Sequence, residues 1–162
     1  MPLDDLSATA QVQFNPVGRT DRELGAVPYS VPIIETFRYV LGTGPGQIND
    51  FFDDQQSIAP NDVATFQFYG GVMNYQGGVI NFTKLKGIWI RNRSLIDPIT
   101  VRPAAANGLT SFGTQMIIPP DSFDFRASRL NGWAVTAGNH ILEILNGPTG
   151  PTTIDIVVAG VV

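Results

Sequence analysis

Cysteine is absent from this 162-residue chain, so neither disulfides nor thiolate metal sites contribute to its stability. Histidine occurs once, at His140, which leaves no second imidazole to complete a metal site. No G-x-S-x-G element surrounds any serine, so a hydrolase nucleophile elbow is missing. Charge is scarce as well. Asp, Glu, Lys and Arg make up 15% of the residues, against roughly 25% in ordinary soluble domains. No polybasic stripe is present, which argues against a nucleic-acid partner. No apolar run approaches the roughly 18 residues that a membrane-spanning helix needs. The N-terminal MPLDDLSATA lacks the basic-then-apolar layout of a secretion signal. The expectation is a chain made and folded in a cytoplasm, with no membrane partner.

What is present is a core-forming β sequence. Apolar residues reach 43%, enough for one domain of this length to bury roughly two thirds of its unfolded surface. Residues 79–160 run strand, turn, strand, without a helix-period segment: VINFTKLKGIWIRN, ITVRP, QMIIPP, SFDFRAS, GWAVTA, HILEILN and TTIDIVVAG. Each is a short β-branched or aromatic run closed by Gly, Pro, Asn or Asp. Such spacing predicts an all-β sandwich or barrel.

Residues 1–32 differ from the rest. Pro2, Pro16, Pro28 and Pro32 leave no room for a long regular element. The expectation is an extended Pro-rich N-terminal arm with one strand at 10–14, lying either on a partner or over the chain's own domain, residues 33–162. IIETFRYVLG reads as a strand, with an amphipathic helix as the alternative. GTGPGQ is a turn, because a dinucleotide fingerprint requires its glycines between a strand and a helix. NDFFDDQQSIAPND reads as clustered acids ending in a turn at 59–62. VATFQFYGG alternates, with Ala64, Phe66 and Phe68 on one face. The glycine pairs at 70–71 and 77–78 bracket a flexible excursion through Met73 and Tyr75. A change of parity along residues 80–90 calls for a β-bulge near Lys84–Lys86, or for a strand buried on both sides at its C-terminal end. In TTIDIVVAG, Ile154, Ile156 and Val158 face inward, and the Val/Ile content predicts a central strand.

The candidate chemistry is thin. His140 follows a Gly-Asn turn and reads as a turn residue rather than a catalyst. Asp50, Asp53 and Asp54 could ligate Ca²⁺ or form a carboxylate dyad, but they lack the spacing of a calcium loop and read as solvated loop acids. Lys84, Lys86, Arg91, Arg93 and Arg102 place five of the ten cationic side chains within nineteen residues. On neighbouring strands they would form a patch for an acidic partner, or else a solvated face balanced by local acids. Residues 1–60 hold three Arg against eight acids, while residues 61–162 hold seven cations against six acids. The sequons at Asn81 and Asn92 carry no meaning without a secretory route. No catalytic, cofactor-binding or metal residue is assigned.

The C-terminal half resembles small virion structural proteins of tailed bacteriophages. The likeness lies in the order of KLKGIWIRN, ITVRPAAANG, IIPPDSF, GWAVTAG, ILEILN and TIDIVVAG, and it covers about half of the chain. It implies a jelly-roll-like antiparallel sandwich that decorates a capsid or forms part of a tail, usually as a homo-oligomer. The N-terminal third departs from that pattern. The resulting expectation is a capsid decoration (cement) protein located in the virion, a non-enzyme. It would bind the major capsid protein, or other virion proteins, across capsomer junctions, as a homo-oligomer with a trimer favoured. The alternative is a tail, fibre or adhesion component, for which Tyr69, Tyr75 and Trp133 are candidate contacts. A carbohydrate-active enzyme and a cellular binding module are weaker rivals.

Overall fold

The computed structural model describes residues 7–14, 17–22, 25–30, 33–74 and 76–162. Pro2, Pro16, Pro32 and Tyr75 lie outside them. Five strands come first: β1 (Ser7–Phe14), β2 (Val17–Arg22), β3 (Gly25–Ser30), β4 (Ile33–Leu41) and β5 (Gln47–Ile48). They are followed by β6 (Asp50–Ile58), β7 (Val63–Gln67), β8 (Tyr69–Met73), β9 (Val79–Asn81) and β10 (Lys84–Asn92). The last six are β11 (Ile99–Pro103), β12 (Met116–Ile118), β13 (Ser122–Ala127), β14 (Trp133–Ala134), β15 (Ile141–Asn146) and β16 (Thr152–Val161). Among the described residues the sole helical element is a 3₁₀ turn, Thr110–Phe112. The protein is all-β.

Two antiparallel sheets form the body. One has the order β13-β10-β16-β6, with β14 also pairing with β10, and the other has the order β12-β11-β15-β7. The chain passes between them repeatedly, so that sequence neighbours β6 and β7, or β15 and β16, lie in different sheets. Side chains alternate with the two-residue period of a strand. Ile154, Ile156 and Val158 of β16, Leu142 and Ile144 of β15, and Ala64 and Phe66 of β7 join one buried cluster. Each Val, Leu, Ile or Phe among them contributes about 1.5–3 kcal/mol by leaving water. β16 is central, as its composition predicts.

The bulge is present as well. The register between β10 and β16 slips between Leu85 and Gly87, which switches the inward parity to Ile88 and Ile90 and draws Lys86 into the interior. Gly160 allows the close approach at this point. A Cβ there would collide with the Lys84 carbonyl and the Phe82 ring.

Three sequence expectations need correction. The acid-rich segment is the nine-residue strand β6, whose backbone is paired along its length with β16. Its side chains read as loop because β6 is an edge strand, where charge discourages further strand pairing. The excursion between the glycine pairs is the hairpin β8–β9, with Tyr69 opposite Asn81 and Met73 opposite Val79. The long strand expected from Val79 is divided into β9 and β10, because β9 pairs with β8 and β10 with β16.

At the N-terminal side, β1 runs antiparallel to β4, and β4 is parallel to β5. β2 and β3 pair with each other. IIETFRYVLG is therefore a strand.

Candidate functional site

The residues singled out from sequence do not converge. His140 is buried, with Nδ1 3.1 Å from the Thr136 carbonyl oxygen and its ring beside Tyr69. Asp53 and Asp54 are successive residues of β6 and so point to opposite sides. Asp50 accepts bonds from the Phe51 amide and the Asn74 side chain. Among the described residues no three His, Asp or Glu side chains gather where they could hold a metal ion. Trp133 is half-buried and packs edge-on against Phe112, with ring centroids 5.1 Å apart. Tyr69 is exposed.

The basic cluster separates, because β10 and β11 belong to different sheets. Arg91 faces Asp121 at 3.5 Å, Arg93 binds Asp155 at 2.6 Å, and Arg102 binds Glu143 at 3.0 Å on the other sheet. Burial raises the pKa of Asp155, but the hydrogen bonds from Gln55 and Arg93 outweigh it, and the carboxyl lies below the ordinary range. Lys86 is only 1% exposed and donates to the carbonyls of Leu130 and Arg129. Burial first, and Lys84 second, lower its pKa. Local acids thus balance the arginines, and Lys86 is a bond to the loop after β13.

The most ordered polar cluster lies where four turns meet. The antiparallel registers bring residues 59–62, 93–98, 119–121 and 147–151 to the same end of the two sheets. Asn92 closes β10 with its side chain pointing inward. Its Nδ2 donates to the carbonyls of Asp97, Pro119 and Ile118, and its Oδ1 accepts from the Ser94 amide and the Thr152 hydroxyl. Ser94 Oγ accepts from the amides of Asp97 and Ile96. The Asp97 carboxylate accepts from the amides of Thr149 and Gly150, at 2.8 and 3.0 Å. Burial raises the pKa of Asp97, yet these donated bonds outweigh it and the carboxyl sits low. Asn146 plays the matching part at the end of β15, donating to Ile58, Ala59 and Gly150. Gly147 lies so close to Asp97 that a Cβ would come within 2.7 Å of it.

Two aliphatic side chains stand on this base. Leu95 is 80% and Ile96 68% exposed. They border an open groove of about 440 Å³, lined also by Gln55, Arg93, Asp97 and Thr153. A loop held by buried hydrogen bonds loses little further freedom when it docks, so it presents its apolar pair at low entropic cost. The sequence reading passed over this site because Asn92 and Asn146 served only as a sequon and as strand punctuation. Their signal, an amide at the last position of a strand, becomes specific only when several turns converge on it.

Compared with protein-family models, curated proteins and solved structures, the chain matches none.

Proposed function

We propose that this chain is a virion structural protein, a capsid decoration protein that stabilises the particle by binding across capsomer junctions. The five-stranded and four-stranded sheets, with the chain alternating between them, fit a jelly-roll sandwich of two interleaved Greek keys. The carrying observation is the rigid loop end that displays Leu95 and Ile96. A protein acting by surface contact needs such preorganised apolar groups at the centre of an interface. The sequence resemblance to phage virion proteins supplies the particle context, and the low charge content suits a surface covered by other chains. Binding to the assembled lattice in preference to its free subunits would stabilise that lattice by mass action.

The test is cosedimentation with capsids that lack this protein. The wild-type chain is expected to bind expanded shells and raise their resistance to heat. The double variant Leu95→Asp/Ile96→Asp is expected to fold and fail to bind. A wild-type chain indifferent to capsids but bound to host cells would instead favour the tail or adhesion reading.

A further inference from the structure

Each sheet ends in edge strands, and charge or proline blunts most of the longer ones against further pairing. Among the described residues, β1, β2, β3, β6 and β13 are edge strands of more than five residues. β2 carries Arg19 and Asp21, β3 carries Pro28, β6 carries Asp53 and β13 carries Asp124. The stretch of β4 that β5 leaves open carries Glu35 and Arg38. β1 differs. Its eight residues, SATAQVQF, include neither charge nor proline, and among the described residues it pairs with β4 alone.

The free side of β1 follows from the register. The Val40 amide donates to the Gly46 carbonyl at 3.2 Å, on the β5 side of β4. The N–H and C=O of one residue point to the same side of a strand, and the side alternates along it. Tyr39, Phe37, Glu35 and Ile33 therefore turn theirs toward β1, where they lie opposite Ala8, Ala10, Val12 and Phe14. These four positions close the β1–β4 ladder. Ser7, Thr9, Gln11 and Gln13 turn their backbone groups the other way, and Thr9 and Gln11 are exposed. The ladder itself is anchored. Tyr39 donates its hydroxyl to the Lys86 carbonyl at 2.9 Å, and Phe37 meets Phe125 edge-on with ring centroids 5.6 Å apart. The open edge thus has a fixed place on the body. Beyond the short β5 the sheet is a two-stranded ribbon, which gains stability when further strands widen it.

We propose that β1 is an interface with a second copy of this chain, formed by antiparallel pairing of the two β1 strands about a two-fold axis. Backbone groups that face outward must meet others that face outward, so odd positions pair with odd ones. The register that uses all four sets Ser7 opposite Gln13 and Thr9 opposite Gln11, each twice, with Ala10 opposite its own equivalent at the axis. No charged residue stands opposite another in that register, so nothing in it repels. Every copy presents the same edge, and an uncharged edge matches its own reverse, as an isologous contact requires. The product is one sheet of order β5-β4-β1-β1-β4-β5. Growth stops at two copies, because the pairing consumes both open edges and the other long edges are blunted. The inference goes beyond the decoration reading and does not depend on it.

Light scattering after size exclusion, on the full chain over a range of concentrations, is expected to give twice the 17.5 kDa of the chain. Thr9→Lys/Gln11→Lys opposes like charges at both Thr9–Gln11 pairs and should raise the dissociation constant at least tenfold. Thr9→Lys/Gln11→Glu opposes unlike charges at the same exposed positions and should hold the dimer, an outcome that general destabilisation would not produce. Amide exchange followed by NMR reads the wild-type chain directly. The amides of Thr9, Gln11 and Gln13 should gain protection as concentration rises through the dissociation constant, while those of Ala10 and Val12 stay protected throughout. A wild-type monomer or trimer, a dimer that Thr9→Lys/Gln11→Lys leaves intact, or a dimer whose Thr9 and Gln11 amides exchange freely would overturn the proposal.

Discussion

The two ends of the main body are held by different means. At one end, the turns at 59–62, 93–98, 119–121 and 147–151 are short and joined through Asn92, Asp97 and Asn146, three buried polar side chains that bond mainly to backbone. At the other end the connections are longer. They contain the hairpin β8–β9, the 3₁₀ turn and residues 128–140, and aromatic packing closes them. Phe112 packs on Trp133, Phe68 on Phe82, and the Arg126 guanidinium lies 4.8 Å above the Phe112 ring. Hydrogen bonds are directional and fix a backbone in one arrangement, whereas apolar contacts tolerate small displacements. A chain that must present two side chains in fixed positions therefore does so from the polar end.

The comparison can be broken from either side. The largest effect is expected at the aromatic end: Phe112→Ala should cost about 3–5 kcal/mol in urea unfolding, because a buried ring leaves a cavity. At the polar end, Asn92→Ala strands several buried carbonyls and a hydroxyl, and about 3 kcal/mol should be lost. The half-buried Asn139 bridges Thr110, Ser111 and Ala134 at the aromatic end, and Asn139→Ala should cost only about 1 kcal/mol. Equal losses for the two asparagines would remove the asymmetry.

A smaller effect sharpens the contrast through pH. The folded-state pKa of Asp97 is depressed, so its contribution is fully present above the unfolded value of about 3.9 and is lost as pH falls through the folded value. Urea midpoints measured between about pH 6 and 2 should fall on acidification. Asp97→Asn should flatten the part of that fall due to this group, and an unchanged slope would count against the loop-end network. The smallest effect on stability is expected from Leu95→Asp/Ile96→Asp, within about 0.5 kcal/mol of the wild type, together with the loss of particle binding described above.

Much of the fold was legible because the signals were local. Ala64-x-Phe66-x-Phe68 and Ile154-x-Ile156-x-Val158 identify inward faces without reference to any other segment, and the parity change around Lys86 narrows that stretch to a bulge or a strand buried on both sides. The candidate site was much less legible. Asp50, Asp53 and Asp54 looked like a loop cluster, because nothing in β6 itself shows that β16 will bond to its backbone. Lys84–Arg102 looked like one patch, because adjacency in sequence does not reveal that β10 and β11 part into separate sheets.

By itself the sequence determined the strand character of the chain, the turns that end the strands, and the buried face of most of them. Those properties follow from a two-residue side-chain period and from turn residues that act over a few positions. Only the tertiary structure decided that β6 is a strand, that Lys86 is interior, and that Asn92, Asp97 and Asn146 lock four turns beneath Leu95 and Ile96. Each of these depends on pairing across long separations, as between Gln55 and Asp155, and no local pattern carries that pairing.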